Sequence, residues 1–393
     1  MLTMMHANRV RTDGGTLFVD RKFHLGMQNY LAAISYPIVS IHPETEGSEG
    51  TMDMVEVPLK GLGYEVIAIN GGSNATKVAQ GTSRMRDQIR SSQLVYGGGL
   101  GSEAVCAGLG VPQIAVLEYD LATQIKVSTS QVQSPLRKAS RALKVSVGYL
   151  KSIGDLRRSA GIHCNGYPIF DATAAYNANR LLYLDSRMYE GMVISDHQLE
   201  ARLNRTDATP LKLLFSGRYD PIKGAIDAVR VGLACLEQGL DIELHCYGQG
   251  VQRDEMLRLA SQPGARGRIH IHDAVTYPEL VEIARDFDVF VCCHVQADPS
   301  CTYLESFGSG LPIVGYANTM WRRLSEESQV GFCAPLHRPD RVVEDVKRLV
   351  ADVGLRNAMS RRARAFALAH AFEPEFKLRT DDINRTLAQE RVA

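Results

Sequence analysis

Short runs of aliphatic and β-branched residues alternate along the chain with longer stretches whose apolar positions recur at helical spacing. A strand-length run followed by a helix-length one, repeated many times, builds parallel sheets from βαβ units. In the first half the strand-like runs are PIVSIHP (37–43), YEVIAIN (64–70), QLVYG (93–97), PQIAVLEYD (112–120) and GIHCN (161–165). In the second half they are LKLLFSG (211–217), DIELHCYG (241–248), RIHIHD (268–273), DVFVCCHV (288–295) and LPIVGY (311–316). Beyond Pro339 the pattern is wholly helical, and a last polar helix follows Phe372, Glu373 and Pro374.

A chain of 393 residues exceeds the size at which a single core usually stops growing. Between Arg187 and Pro210 the strand rhythm lapses into a polar stretch that reads as a linker. The expectation is an α/β protein of two Rossmann-like parallel-sheet domains, residues 1–206 and 207–370, facing a cleft. Residues 371–393 form a C-terminal helix that can return to the first domain. Open α/β sheets bind ligands beyond the carboxyl ends of their strands, so two of them in one chain suggest a shared crevice.

Lysine plus arginine and aspartate plus glutamate both number 44, so no global field recruits nucleic acid, and any anion site must be local. The opening MLTMMHANRVRTDGG lacks a signal-peptide apolar core and no apolar run is long enough to span a membrane, which points to a cytoplasmic protein. The 8 cysteines are scattered as reduced thiols would be. Cys292 and Cys293 beside His294 lack the spacing of a zinc site and read as buried strand residues. No metal is expected.

Against that neutral background, FSGRYDPIKG (215–224) places Arg218 and Lys223 in the turn between a strand and a helix carrying Ile226, Val229, Leu233 and Leu236. Pro221 sets the turn, and Gly217 and Gly224 permit close approach. A helix N-terminus already favours an anion, and two cations add to that preference. Two solvated surface cations would fit the same letters. A second feature argues for a site: after DVFVCCHV, Ser300, Cys301 and Thr302 open a short helix whose free N–H groups would face the same crevice. Glu305 lies one turn in, as a dipole complement or as an acceptor for two ribose hydroxyls. GGGLGSE (97–103) lacks dinucleotide-fingerprint spacing and reads as a turn for close helix packing.

Taken in order, GRYDPIKG, ELHCYGQG, the HDAV turn and DPSCTYLESFGSGLPIVGY resemble the second domain of the retaining, nucleotide-sugar-dependent glycosyltransferases of family 4, with the GT-B fold. The resemblance is strong from about Leu211 to Cys333. It implies that Arg218 and Lys223, with Gly217, bind the donor diphosphate. It further implies that Glu305 holds the ribose, that the amides of Ser300, Cys301 and Thr302 meet the distal phosphate, and that the base lies against Asp273, Ala274 and Val275. No cofactor or metal is implied beyond the nucleotide diphosphate sugar as co-substrate. The family commonly has a glutamate eight positions before the ribose glutamate; here Ala297 stands there with Asp298 beside it. Either Asp298 substitutes or the sugar is held differently. Where the family often has a histidine in the first domain, Glu118 stands: a sugar-hydroxyl acceptor, an acid-base group or a strand-end carboxylate. The family's glycine-rich loop over the donor phosphates resembles Asp13-Gly14-Gly15-Thr16, which also reads as an ordinary turn before a helix.

The resemblance implies transfer of a sugar, with retention, to a saccharide or lipid-linked acceptor in cell-surface polysaccharide or glycoconjugate synthesis. From Leu121 to Ala160 eight cations oppose Asp155 alone. Residues 126–158 thus suit contact with the inner face of an anionic membrane, an acceptor phosphate, or plain solvation. An epimerase of the same architecture and a noncatalytic nucleotide-sugar-binding protein are the competing expectations.

Overall fold

The computed structural model describes residues 1–45, 54–69, 75–98, 102–130, 132–205, 210–297, 299 and 301–389. Its first-half strands are β1 (Leu2–Met5), β2 (Arg11–Asp13), β3 (Thr16–Asp20), β4 (Ile38–Pro43), β5 (Met54–Pro58), β6 (Glu65–Ile69), β7 (Leu94–Gly97), β8 (Gln113–Leu117), β9 (Gly161–Asn165) and β10 (Arg180–Tyr183). The second-half strands are β11 (Leu211–Ser216), β12 (Ile242–Tyr247), β13 (Ile269–His272), β14 (Val289–Cys292), β15 (Ile313–Tyr316) and β16 (Gly331–Ala334).

A seven-stranded sheet runs β10-β9-β8-β7-β1-β4-β6, and a six-stranded sheet runs β13-β12-β11-β14-β15-β16. Every pairing in both is parallel. The chain winds outward from the first strand in one direction, then returns to its other side. This reversal falls between β1 and β7 in one sheet and between β11 and β14 in the other. Ligands of doubly wound sheets bind at such switch points, beyond the carboxyl ends.

Helices cover both faces. Ala225–Glu237 lies centrally on the second sheet and buries Ala225, Ala228, Val229, Val231, Leu233, Cys235 and Leu236, a broad apolar face, while Arg230 and Glu237 point to solvent. Phe307, Trp321 and Ala363 build the core on the opposite face. In the first half Leu2, Met4, Leu94 and Ile114 share one core. Ile383 and Leu387 from the final helix, Phe372–Gln389, complete that core. Asp382 of this helix meets His163 at 2.8 Å, and Asn384 donates to the Ala33 carbonyl at 3.0 Å, so the chain end rests on the first sheet.

Several strands lie outside the sequence expectation. β1 has four buried residues, two of them methionine, with Thr3 alone β-branched, so its composition hides its place at the centre of the sheet. β10 and β16 are short edge strands. β2, β3 and β5 form a small antiparallel sheet in which Asp13 pairs with Thr16. Gly14 and Gly15, at φ 55° and 88°, therefore close a hairpin rather than lead into a helix.

The polar stretch before the expected cut near residue 206 is also structured. A capping box of Ser195 and Gln198 starts the helix Asp196–Leu203. Its buried Arg202 donates to the carbonyls of Arg285, Ser309 and Gly310 at 3.0, 2.8 and 2.7 Å. Glu200 takes both guanidinium arms of Arg361. These partners all belong to the second half, so residues 195–203 rest on it, upstream of the expected boundary. Among the described residues, no helix is long and apolar enough to cross a membrane.

Candidate functional site

The turn after β11 is held rigidly from three sides. Tyr219 is fully buried, and its hydroxyl is shared between the carbonyl oxygens of Cys246 and His272, 2.8 and 2.7 Å away, at the ends of β12 and β13. Gly248 in the loop after β12 presses on the turn; a Cβ there would collide with the Gly217 carbonyl. Pro221–Lys223 form one 3-10 turn, and Gly224 leaves it at φ 64°. A Cβ on Gly224 would strike the Cys293 carbonyl, so only glycine lets the turn seat against the end of β14. Val295 then donates to the Ile222 carbonyl at 3.1 Å, joining the two loops across the switch point.

The two cations are placed differently. Arg218 is 63% exposed and pairs with Asp220 at 3.0 Å, leaving most of its guanidinium at the surface of the crevice. Lys223 is only 9% exposed and points inward. Beside it lies His294, whose two ring nitrogens are buried without a hydrogen-bond partner. Burial first, and the Lys223 charge second, hold this imidazole well below its ordinary pKa. It is therefore neutral at pH 7, and no second cation opposes Lys223 from that direction.

Cys301–Gly308 forms the helix expected after β14. Tyr303 anchors it by stacking on Trp321, with ring centroids 5.6 Å apart, and by accepting from Asn318 at 3.0 Å. Cys301 Sγ approaches Asp185 at 3.9 Å. Glu305 is already engaged: Arg187 Nε and Nη2 donate to its Oε1 at 3.0 and 2.7 Å. The Arg187 guanidinium also lies 4.3 Å from the centre of the Tyr277 ring. Arg187 came from the stretch read as linker, where no spacing marks it. Asp298 and Ser300 lie outside the described residues.

Asp273, Ala274 and Val275 follow β13 directly. Asp273 is exposed and takes Arg253 at 2.9 Å, while His272 stacks on Tyr247 with centroids 4.3 Å apart. Asp286 and Asp288 fall at the spacing of an Asp-x-Asp metal motif, but they sit at the amino end of β14, away from the crevice. There Asp288 accepts from the Lys212 amide at 2.9 Å.

From the first half, Glu118 is exposed just past β8. Asp120 caps the helix Leu121–Thr129 through the Thr123 amide at 2.7 Å, and Lys126 of that helix donates to the Val295 carbonyl at 2.6 Å. Gly166, after β9, faces Pro299 and Met320 so closely that a Cβ would sit 3.2 and 3.1 Å from them. The carboxyl ends of the two sheets thus confront each other. Arg218 and Lys223 follow β11, the Cys301 helix follows its neighbour β14, and Val295 joins the two connections through the Ile222 carbonyl, while Glu305 is paired with Arg187. Gly14 and Gly15 stand at the hairpin tip.

Residues 198–366 match the family model described as glycosyl transferases group 1, a span that takes in every strand of the second sheet. Among curated proteins, the alpha-D-kanosaminyltransferase of Streptomyces kanamyceticus is 23% identical over 190 residues. That match covers 48% of this chain and 49% of the relative, so the chain spans about half the length of the curated protein it matches. Among solved structures, WaaG, a glycosyltransferase involved in lipopolysaccharide biosynthesis, superposes with a TM-score of 0.64 at 15% identity, over 98% of this chain and 99% of its own. HepE of Anabaena, crystallised with UDP, gives 0.63 at 14% identity, over 99% and 98%. The fold is that of the GT-B glycosyltransferases.

Proposed function

We propose that the protein is a retaining glycosyltransferase that moves a sugar from a nucleoside diphosphate sugar to a saccharide or lipid-linked acceptor, in cell-surface polysaccharide or glycoconjugate synthesis at the cytoplasmic side of a membrane. The observation that carries this reading is the seating of Arg218, Lys223 and a helix N-terminus at the switch point between β11 and β14. UDP, which the HepE structure contains, is the first nucleotide to test.

When the bond from the anomeric carbon to the phosphate oxygen breaks, its electron pair stays on the diphosphate and positive charge grows on the sugar ring. Lys223, Arg218 and the amides of Cys301 and Thr302 face that growing negative charge, as preorganised donors do. Two cations and a helix end suffice for it, so no metal is required. The acceptor hydroxyl bonds the anomeric carbon on the face the diphosphate leaves, and its proton passes to the departing phosphate. Glu305 takes the ribose hydroxyls through Oε2 while Arg187 holds Oε1. Asp273 to Val275 border the base. Glu118 and Asp298 serve the sugar, and the Gly14–Gly15 tip covers the donor from the first half.

The acceptor side is supported by the helix Pro135–Arg158. Leu136, Leu143, Val147 and Leu150 are exposed and fall within a narrow stripe at helical periodicity. Arg137, Arg141, Lys144 and Lys151 lie along one flank of it, and Arg137, Arg141 and Lys144 line a depression of ≈ 630 Å³. A leucine stripe beside a row of cations suits the surface of an anionic bilayer.

Incubation with UDP-sugars, with and without a crude lipid or saccharide acceptor, tests the reading. Release of UDP with label moving to acceptor supports it. A new nucleotide sugar formed from donor alone would indicate an epimerase, and no turnover of any donor would leave a binding protein.

A further inference from the structure

The outer edge of the second sheet carries a cluster of donors that the crevice does not use. Along β12 the residues Ile242, Leu244 and Cys246 enter the core, so Glu243, His245 and Tyr247 share the opposite face. In the parallel register His245 pairs with His270 and Tyr247 with His272 on β13, bringing three imidazoles and one carboxylate together. Glu243 Oε1 lies 3.2 Å from His245 Nε2 and 2.9 Å from His270 Nε2, and the three donor atoms fall within 4.8 Å of one another.

Two details bear on what this cluster can hold. His270 Nε2 is buried and, despite its closeness to the carboxylate, meets it outside hydrogen-bond geometry. His245 Nδ1 lies 3.0 Å from His272 Nε2. Metal binding at His245 Nε2 requires the proton on Nδ1, which then donates to His272 Nε2 and fixes the ring. Metal–ligand distances near 2.1 Å separate tetrahedral ligands by about 3.4 Å, a little beyond the two carboxylate–imidazole spacings of 3.2 and 2.9 Å. All three side chains are half-buried, so a cation can enter from solvent.

We propose that Glu243, His245 and His270 bind a divalent transition cation of the zinc, nickel or copper class, with His272 as the positioning residue that fixes the His245 tautomer. Two imidazoles and one carboxylate select such ions over magnesium or calcium. Water takes the fourth position. The cation staples edge strand β13 to β12, directly beneath the Tyr247–His272 stack that leads to Asp273.

Untagged full-length protein, stripped with chelator and titrated with zinc alone, is expected to bind one equivalent per chain. Affinity should fall more than about 100-fold in Glu243→Gln and in His270→Gln, and by about 10- to 100-fold in His272→Ala. Circular dichroism checks that each variant is folded. Absence of a stoichiometric site, or equal affinity in the folded ligand variants, would overturn the proposal. Because Cys333 is exposed, cobalt substitution gives a second readout. Tetrahedral ligand-field bands without thiolate charge transfer, lost in His270→Gln, support the site; a thiolate band contradicts it.

Discussion

The two large sheets share one winding order and one strand sense, yet their carboxyl edges are built in opposite ways. In the second, the turn after β11 is tied to β12 and β13 through the Tyr219 hydroxyl and to the loop after β14 through Ile222. Gly224 is pressed against Cys293. In the first, the chain leaves β1 through a hairpin that pairs with β5, and a 24-residue helix shows Leu136, Leu143 and Leu150 to solvent. A pocket for a diphosphate must be made of backbone and must be tight. A surface for a variable acceptor is made of exposed side chains and tolerates change.

If this contrast is right, damage to the second edge should abolish chemistry while damage to the first should redirect it. The largest effect is expected for Lys223→Ala and Arg218→Ala, each lowering sugar-transfer turnover by about 10²-fold or more, as loss of a charge-stabilising donor does. Steady-state rates within about threefold of the parent would break the comparison at its strongest point. Glu305→Gln comes next: it weakens both the Arg187 pair and the ribose contacts, and calorimetry should show nucleotide affinity reduced about tenfold or more. Unchanged affinity would remove Glu305 from the site.

A smaller effect sharpens the contrast from the side of the first sheet. Burial holds His163 down to about 3, with Arg379 and Arg385 adding to it, and holds His42 down to about 4. The unfolded chain protonates these rings below about pH 6.5, whereas the folded chain does so only much lower. Folded-state stability should therefore be intact above about pH 6.5 and fall as the pH drops towards 4, by up to about 1.4 kcal/mol per pH unit for each ring. Urea unfolding across that range measures it, and a flat profile would contradict the burial of these imidazoles. The smallest effect on donor binding is expected from joint replacement of Arg137, Lys138, Arg141 and Lys144 by glutamine. UDP affinity should stay within about twofold while flotation with anionic liposomes is lost. Retained flotation would show that the basic helix serves another purpose.

The same asymmetry governs what the sequence disclosed. β11, β14 and β15 are legible almost to the residue because buried parallel strands read as nearly continuous apolar runs, and β12 and β13 because apolar residues alternate with polar ones; the Arg218–Lys223 turn is legible because Gly217 and Gly224 stand at φ 147° and 64°, which glycine favours. β1 is not, since two methionines and a single β-branched residue imitate a polar-flanked tail. Arg187 was hidden for a different reason. It reaches Glu305 across 118 positions of sequence, and no local pattern encodes such a meeting. His294 beside two cysteines suggests only a metal ligand in the sequence, whereas in the fold it is buried and neutral next to Lys223. The hairpin at Gly14–Gly15 is hard to read because β2 has only three residues and none is buried, and because β5, which completes the sheet through β3, lies more than thirty residues downstream.

The central claim concerns where the pyrophosphate sits, and calorimetric titration of UDP against uridine, in the wild type and in Lys223→Ala, tests it most directly. The diphosphate should supply most of the wild-type affinity, and that advantage over the bare nucleoside should collapse in the variant. An equal advantage in both proteins would place the phosphates elsewhere and contradict the account.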